Sequence, residues 1–119
     1  MIKYHPLKNG KTLAEILPEA PMITEPGDIL DMMAETGYHS CDTMMIHRET
    51  FHPGFFELKT GLAGEILQKF SNYRMRLAIV GDFSGIKSKS LRDFIRESNR
   101  RGTINFVNTP EKAMDLFNR

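Results

Sequence analysis

The chain has 119 residues, of which 40% are hydrophobic and 26% are charged, and this length and composition are typical of one globular domain. Its single cysteine, Cys41, excludes an internal disulfide framework. No apolar run approaches the ~20 residues that cross a bilayer, and residues 1–6 have no leader pattern. We therefore expect a cytoplasmic protein with no membrane partner.

The net charge of +1 is unevenly distributed along the chain. Residues 1–60 contain five Lys or Arg against nine Asp or Glu, whereas residues 61–119 contain eleven against six. The positive excess is concentrated between Lys87 and Arg101, where it can attract anions or an acidic partner surface. A solvated outer helix face is the simpler interpretation. Since the whole chain is nearly neutral, we expect no nucleic-acid partner.

The N-terminal part is predicted to form a hairpin followed by a helix. Two short strands are predicted within Ile2–Leu17, on either side of Asn9-Gly10, the residue pair that type I′ turns prefer. A helix is predicted over residues 26–36, because a proline near its start and Gly37 at its end are typical helix boundary signals.

The rest of the chain alternates apolar strands with amphipathic helices. The segments predicted as buried strands are Thr43–Ile46, Arg76–Gly81 in the middle of the sheet, and Ile104–Val107. The predicted helices are Thr60–Asn72, a basic helix capped by Ser88 or Ser90 and ended by Gly102, and a last helix capped by Thr109. We therefore predict a single α/β domain over residues 1–119, with an opening β-hairpin and helices packed on a mixed, largely parallel sheet.

The loop after the strand Arg76–Gly81 is the first candidate site, since parallel sheets bind ligands at the carboxyl ends of their strands. Asp82 is a candidate base there, with Ser84 and His47 beside it. The simpler interpretation of Asp82 is a turn that its carboxylate stabilises. The nucleotide-binding and hydrolase motifs are absent, so an enzyme or small-ligand site at these residues is kept as the alternative function.

Metal or cofactor binding finds no support in the sequence. The candidate ligands His39, His47, His52 and Cys41 are spaced in no established ligand pattern. Catalysis by Cys41 is not expected either, because a free cysteine usually behaves as a small buried hydrophobic residue. We predict no metal site, no cofactor and no catalytic residue among them.

The segment Thr60-Gly61-Leu62 is the second candidate site. If Thr60 is the N-cap of the helix, its hydroxyl accepts from an amide at Leu62 or Ala63, and the remaining free amides can bind an anion. Lys59 can pair with that anion. Gly61 and Gly64 permit a close approach by a ligand or partner, or alternatively by the sheet alone.

The order of elements and the sequence Leu58-Lys59-Thr60-Gly61-Leu62 resemble the STAS domain of bacterial anti-sigma-factor antagonists. In that family, an Asp-Ser-Ser-Gly-Leu turn precedes a helix, and its second serine is phosphorylated by a partner kinase. Thr60 occupies the equivalent position, whereas Leu58 and Lys59 replace the acidic residue and the first serine. The resemblance implies partner binding at Thr60, tuned by phosphate.

Two segments, Phe55–Gly61 and Lys87–Phe94, also look like a small bacterial family known only as a domain of unknown function. That resemblance implies no activity. We therefore predict a non-enzymatic regulatory or interaction module that binds an unidentified protein partner through the helix that starts at Thr60.

Overall fold

Five strands form one mixed sheet in the computed structural model, which describes residues 1–119. The strands are β1 (Ile2–Pro6), β2 (Thr12–Ile16), β3 (Cys41–His47), β4 (Arg76–Val80) and β5 (Ile104–Val107). They lie side by side in chain order; β1 is antiparallel to β2, and all other neighbours are parallel. The predicted opening hairpin and largely parallel sheet are confirmed.

Four helices connect or follow the strands. They are α1 (Pro26–Gly37), α2 (Leu62–Asn72), α3 (Lys89–Arg101) and α4 (Pro110–Phe117). Short 3-10 turns at Arg48–Thr50, Pro53–Phe56 and Leu58–Thr60 fill the connection from β3 to α2. Neither the length nor the apolar content of any helix is sufficient for a membrane crossing.

The two faces of the sheet are covered unequally. Since β2 to β5 are neighbours joined by single helices, crossovers of one hand place α1, α2 and α3 on the same side. We call this side the helix face; its buried strand residues are Ala14, Ile16, Met44, Ile46, Leu77, Ile79, Ile104 and Phe106. The opposite side, the α4 face, has the buried strand residues Leu13, Glu15, Thr43, Met45, Ala78, Val80 and Asn105. Only α4 packs there, through Ala113 and Phe117.

Hydroxyl caps start the last two helices and a glycine ends α3, as predicted. Ser88, rather than Ser90, caps α3, because its Oγ accepts a hydrogen bond from Leu91 N at 3.2 Å. Gly102 ends α3 with a φ of +86°, a conformation that other residues rarely adopt. Thr109 caps α4 by accepting from Lys112 N.

The hairpin turn differs from the predicted type I′ turn. That turn requires a positive φ at both central residues, but only Gly10 has one, at +84°, whereas Asn9 does not. Leu7 N donates to Lys11 O at 2.8 Å, which closes a three-residue loop with Gly10 in its last position. One additional loop residue therefore replaces the two-residue turn that Asn-Gly favours.

The position of β4 also differs from the prediction. The middle strand is β3, and β4 lies between β3 and β5. Leu77 and Ile79 of β4 are buried on the helix face, while Ala78 and Val80 are buried on the α4 face. The continuous apolar run therefore reflects burial on both faces rather than a central place in the sheet.

Candidate functional site

A tight turn held by Thr60 precedes α2. The hydroxyl oxygen of Thr60 lies 2.8 Å from Gly54 O and 2.9 Å from Glu57 O, and accepts a hydrogen bond from Leu62 N at 3.2 Å. The single hydroxyl proton of Thr60 is shared between the two carbonyls, while a lone pair of the oxygen accepts from the amide. The predicted contact between Thr60 and the amide of Leu62 is therefore present.

The N-cap residue itself is Gly61, one position after the predicted Thr60. Gly61 donates to Leu58 O, which closes the turn Leu58–Thr60, and accepts from Glu65 N, which opens α2. Its φ of +77° is the left-handed conformation that glycine adopts without strain. The turn ends and the helix starts on the same residue, so α2 begins later than the sequence pattern indicated.

The start of α2 is an open surface. Thr60, Gly61 and Gly64 are exposed, and a Cβ added at either glycine would meet no atom within 4 Å. The alternative that these glycines merely allow close packing on the sheet is therefore wrong. Gly64 also borders a groove of about 260 Å³ between α2 and α3. Other residues lining this α2–α3 groove are Leu67, Gln68, Ser71, Phe94, Ser98 and Arg101.

The helix α3 gives one side of this groove a positive charge. Of its two carboxylates, Asp93 pairs with Lys89 and Arg96, and Glu97 pairs with Arg100 and Arg101. These pairs are solvent-exposed and contribute little to stability. Since Lys and Arg outnumber Asp and Glu in this helix, the field beside the groove stays positive.

At the strand-end loop, Asp82 and Ser84 bond to each other. The Asp82 carboxylate accepts from Ser84 N at 2.9 Å and from Ser84 Oγ at 2.6 Å. These contacts agree with the simpler interpretation, in which the Asp82 carboxylate stabilises a turn. These two hydrogen bonds hold the pKa of the Asp82 carboxyl below its usual range. An ionised carboxylate that already has two donors is poorly suited to act as a base at this position.

The guanidinium of Arg48 fixes the loops that follow β3 and β4. It lies 5.2 Å from the ring centroid of Phe56 and 5.1 Å from that of Phe83, and it donates to Asp82 O. A Cβ added at Gly81 would lie 2.7 Å from Cβ of Arg48, so this crossing requires glycine. The loop at Asp82 is thus held by Arg48, and Asp82 lines none of the four main surface cavities.

His47 does not join Asp82 but belongs to a polar row on the α4 face. His47 Nε2 lies 2.8 Å from one carboxylate oxygen of Glu15, and His5 Nε2 lies 2.8 Å from the other. The three side chains come from β3, β2 and β1, respectively. The side chain of Glu15 is 11% exposed, and the imidazoles of His5 and His47 cover it.

The two imidazoles control the charge of Glu15. Burial raises the pKa of the Glu15 carboxyl, but the hydrogen bonds from His47 and His5 outweigh burial and lower this pKa below its usual range. No lysine or arginine forms an ion pair with Glu15. The carboxylate therefore depends on both imidazoles for its polar contacts.

The structure does not bring together the histidines and the cysteine that were considered as metal ligands and for which no metal site was predicted. His39 stacks on Tyr4 with ring centroids 4.0 Å apart, His52 Nδ1 accepts from Gly54 N, and His47 bonds Glu15. Cys41 Sγ donates to the carbonyl of His39 at 3.9 Å, and Cys41 packs against the apolar core. No three His, Cys, Asp or Glu side chains are arranged to hold a metal ion.

Sequence reasoning missed His5 and Glu15, although a signal was present. Side chains alternate between the two faces along a strand, and each residue of the row lies next to helix-face residues in its strand. Once the strands were assigned, this alternation alone would have placed the three side chains on the same face. The sequence did not predict the strand register that brings Glu15 beside His5 and His47, which are ten and thirty-two positions away.

The comparisons with known proteins give a family without an assigned activity. The model of a family described as a domain of unknown function, DUF4180, matches residues 8–116. No curated protein and no solved structure matches the chain. The predicted likeness to a domain of unknown function is confirmed, and the resemblance to STAS domains stays a hypothesis.

Proposed function

Since the chain belongs to the DUF4180 family, whose description names no activity, we propose from its geometry that it is a non-enzymatic bacterial regulatory module. It binds a partner protein through the start of α2. One observation carries this proposal: Thr60, Gly61 and Gly64 at the start of α2 are exposed, and Gly64 also lines the α2–α3 groove.

The dimensions of the groove favour a protein over a small molecule. Small-molecule sites are usually concave cavities of about 300 to 1,000 Å³ that enclose most of the ligand. The α2–α3 groove is smaller, and its lining mixes Phe94 and Leu67 with Gln68, Ser98 and Arg101. Such a surface suits one or two side chains of a docked protein, with the exposed turn at Thr60 extending the contact.

The charge around the groove favours an acidic partner surface. Arg101 lines the groove, Lys59 is exposed beside the turn, and α3 has more cations than carboxylates. Carboxylates on the partner would speed its association and orient it on this surface.

A phosphate on Thr60 would tune this contact. Esterification removes the proton that Thr60 shares between Gly54 O and Glu57 O, so the turn loses its hydroxyl donor. The added negative charge would lie at the N-terminus of α2, where the amides of Ala63 and Gly64 are bonded to no protein acceptor. It would also repel an acidic partner. The equivalence of Thr60 to the STAS phospho-acceptor supports the same regulation.

The alternative function, a small-ligand or enzyme site at Asp82, Ser84 and His47, has less support. Asp82 and Ser84 use their polar atoms on each other, and His47 bonds Glu15 on the α4 face. These three residues therefore do not converge on a substrate.

Capture from a lysate of the source organism tests the proposal. Immobilised wild type is compared with Gly64→Leu, which places a side chain at the edge of the groove, where an added Cβ meets no atom within 4 Å. The matched control, Asp115→Leu, adds the same side chain to exposed α4. A partner retained by wild type and by the control, but bound about tenfold more weakly by Gly64→Leu, supports the proposal. Identical capture by all three proteins contradicts it.

A further inference from the structure

A second surface lies where α1 passes the loop after β2, and it shares no residue with the start of α2. A cavity of about 310 Å³ opens there. Its apolar lining consists of Met1, Ile2, Ile16, Ala20, Pro21, Met22 and Met32. Met22 is 49% exposed. Methionine side chains adapt to irregular apolar shapes, so this lining suits an apolar side chain from another molecule.

The rim of this cavity is acidic. Asp28, Asp31 and Glu35 line it from one face of α1, and no Lys or Arg lines it. Asp28 already accepts hydrogen bonds from Thr24 N and Glu25 N at the start of the helix. Asp31 and Glu35 are exposed and form no ion pair, so two carboxylates are free to meet cations.

The two free carboxylates are unfavourable for α1 by itself. Asp31 and Glu35 are four residues apart, a spacing at which like charges on a helix repel each other. Glu35 also lies in the last turn of α1, near the negative end of the helix dipole, and that turn contains no basic residue. Partner cations paired with both carboxylates would relieve both effects.

We infer that this surface binds a basic amphipathic helix of a partner protein. An apolar side chain of that helix enters the methionine-lined cavity, while its Lys or Arg residues pair with Asp31 and Glu35. At about 1.5 Å per residue, these carboxylates are spaced along α1 by about 6 Å, which matches cations one turn apart on a helix. A single small amine would neutralise only one of them.

A labelled synthetic peptide tests this inference by fluorescence anisotropy. The peptide places leucines at helical spacing and lysines elsewhere, and a matched peptide replaces each lysine by glutamate. Wild type should bind the lysine peptide and not the glutamate peptide. Asp31→Asn/Glu35→Gln should bind it about tenfold more weakly. Ala20→Phe, which narrows the cavity without a change of charge, should weaken it as well.

The matched control is Glu111→Gln/Asp115→Asn, which neutralises another exposed carboxylate pair four residues apart, on α4. It should bind the lysine peptide as wild type does, and circular dichroism checks the fold of every variant. Equal losses in both double variants would show attraction by net charge alone and overturn the inference, as would no binding by wild type. Sedimentation that shows self-association of wild type, lost in Asp31→Asn/Glu35→Gln, would assign the surface to a second copy and overturn it too.

Discussion

The two faces of the sheet are stabilised in different ways. The helix face is covered by three helices and forms an apolar core with Phe70, Ile66 and Ile29 fully buried. The α4 face has a smaller apolar cluster, and beside it the ionisable row His5–Glu15–His47. Burial of apolar area does not depend on pH, whereas the contacts of a buried carboxylate do. The comparison thus predicts two different responses to mutation and to pH.

The largest effect is expected on the helix face. Phe70→Ala leaves a cavity under α2, because Phe70 is fully buried in the apolar core. We expect a loss of about 3 to 5 kcal/mol in the free energy of unfolding, measured by urea denaturation. The control Tyr73→Ala, at a residue that is 60% exposed, should change this energy by less than about 0.5 kcal/mol. Similar losses for both variants would contradict the assigned helix face.

On the α4 face, Glu15→Gln keeps the size of the side chain but removes its charge. The amide has one acceptor oxygen and one NH2 donor group, so His5 and His47 no longer both donate to it, and the second imidazole keeps its contact only by changing tautomer. We expect a loss of about 1 to 3 kcal/mol at neutral pH. Glu65→Gln, at an exposed residue of α2, is the control and should leave the unfolding energy nearly unchanged.

The same residue makes stability depend on pH. Since folding lowers the pKa of the Glu15 carboxyl, the unfolded chain binds its proton more readily, and stability rises with pH. The contribution is fully present above the ordinary carboxyl pKa of about 4.3 and is lost as the pH falls through the lower folded value. Between neutral and acidic pH, the free energy of unfolding should fall more for wild type than for Glu15→Gln. The same fall in both proteins would contradict this role.

Loss of the Thr60 hydroxyl should lower the free energy of unfolding less than Phe70→Ala or Glu15→Gln does. Thr60→Ala removes the hydroxyl contacts with Gly54 O, Glu57 O and Leu62 N, at an expected loss of about 1 kcal/mol. Thr60→Ser retains the hydroxyl and should keep most of that energy. Thermal unfolding of both variants measures the difference, and equal stability of the alanine and serine variants would show that the contacts are energetically neutral.

The smallest effect is expected at Thr50, a buried polar residue next to the core residue Phe51. Thr50 is 2% exposed, and its hydroxyl is the one buried side-chain polar atom without a partner. Thr50→Val retains the shape and removes the unpaired group, so the unfolding energy should rise by up to about 1 kcal/mol. The control Thr43→Val, which loses a hydroxyl bonded to Asp42, should not be stabilised.

Local signals in the sequence predicted the elements well. The Asn9-Gly10 pair indicated the first two strands, and apolar patterns with helix boundary signals located the other three strands and the four helices. Ser88, Gly102 and Thr109 marked helix ends because each acts on backbone groups within four residues. Such contacts depend on the neighbouring sequence alone.

Contacts between distant segments account for what the sequence left open. The hairpin loop exceeded the turn that Asn9-Gly10 favours, since strand pairing set its length. The cap moved from Thr60 to Gly61 because Thr60 also holds the carbonyl of Gly54, six residues earlier. Glu15 looked like an ordinary polar strand residue until the sheet register brought His5 and His47 to it.

The central claim, docking at the start of α2, is tested most directly by the affinity of Thr60→Asp for the captured partner. Isothermal titration calorimetry compares wild type, Thr60→Asp and Thr60→Ser, with thermal unfolding as the check on folding. The account predicts about tenfold weaker binding by the folded Thr60→Asp protein, because its charge opposes an acidic partner, and unchanged binding by Thr60→Ser. Equal affinities of wild type and Thr60→Asp would contradict docking at Thr60.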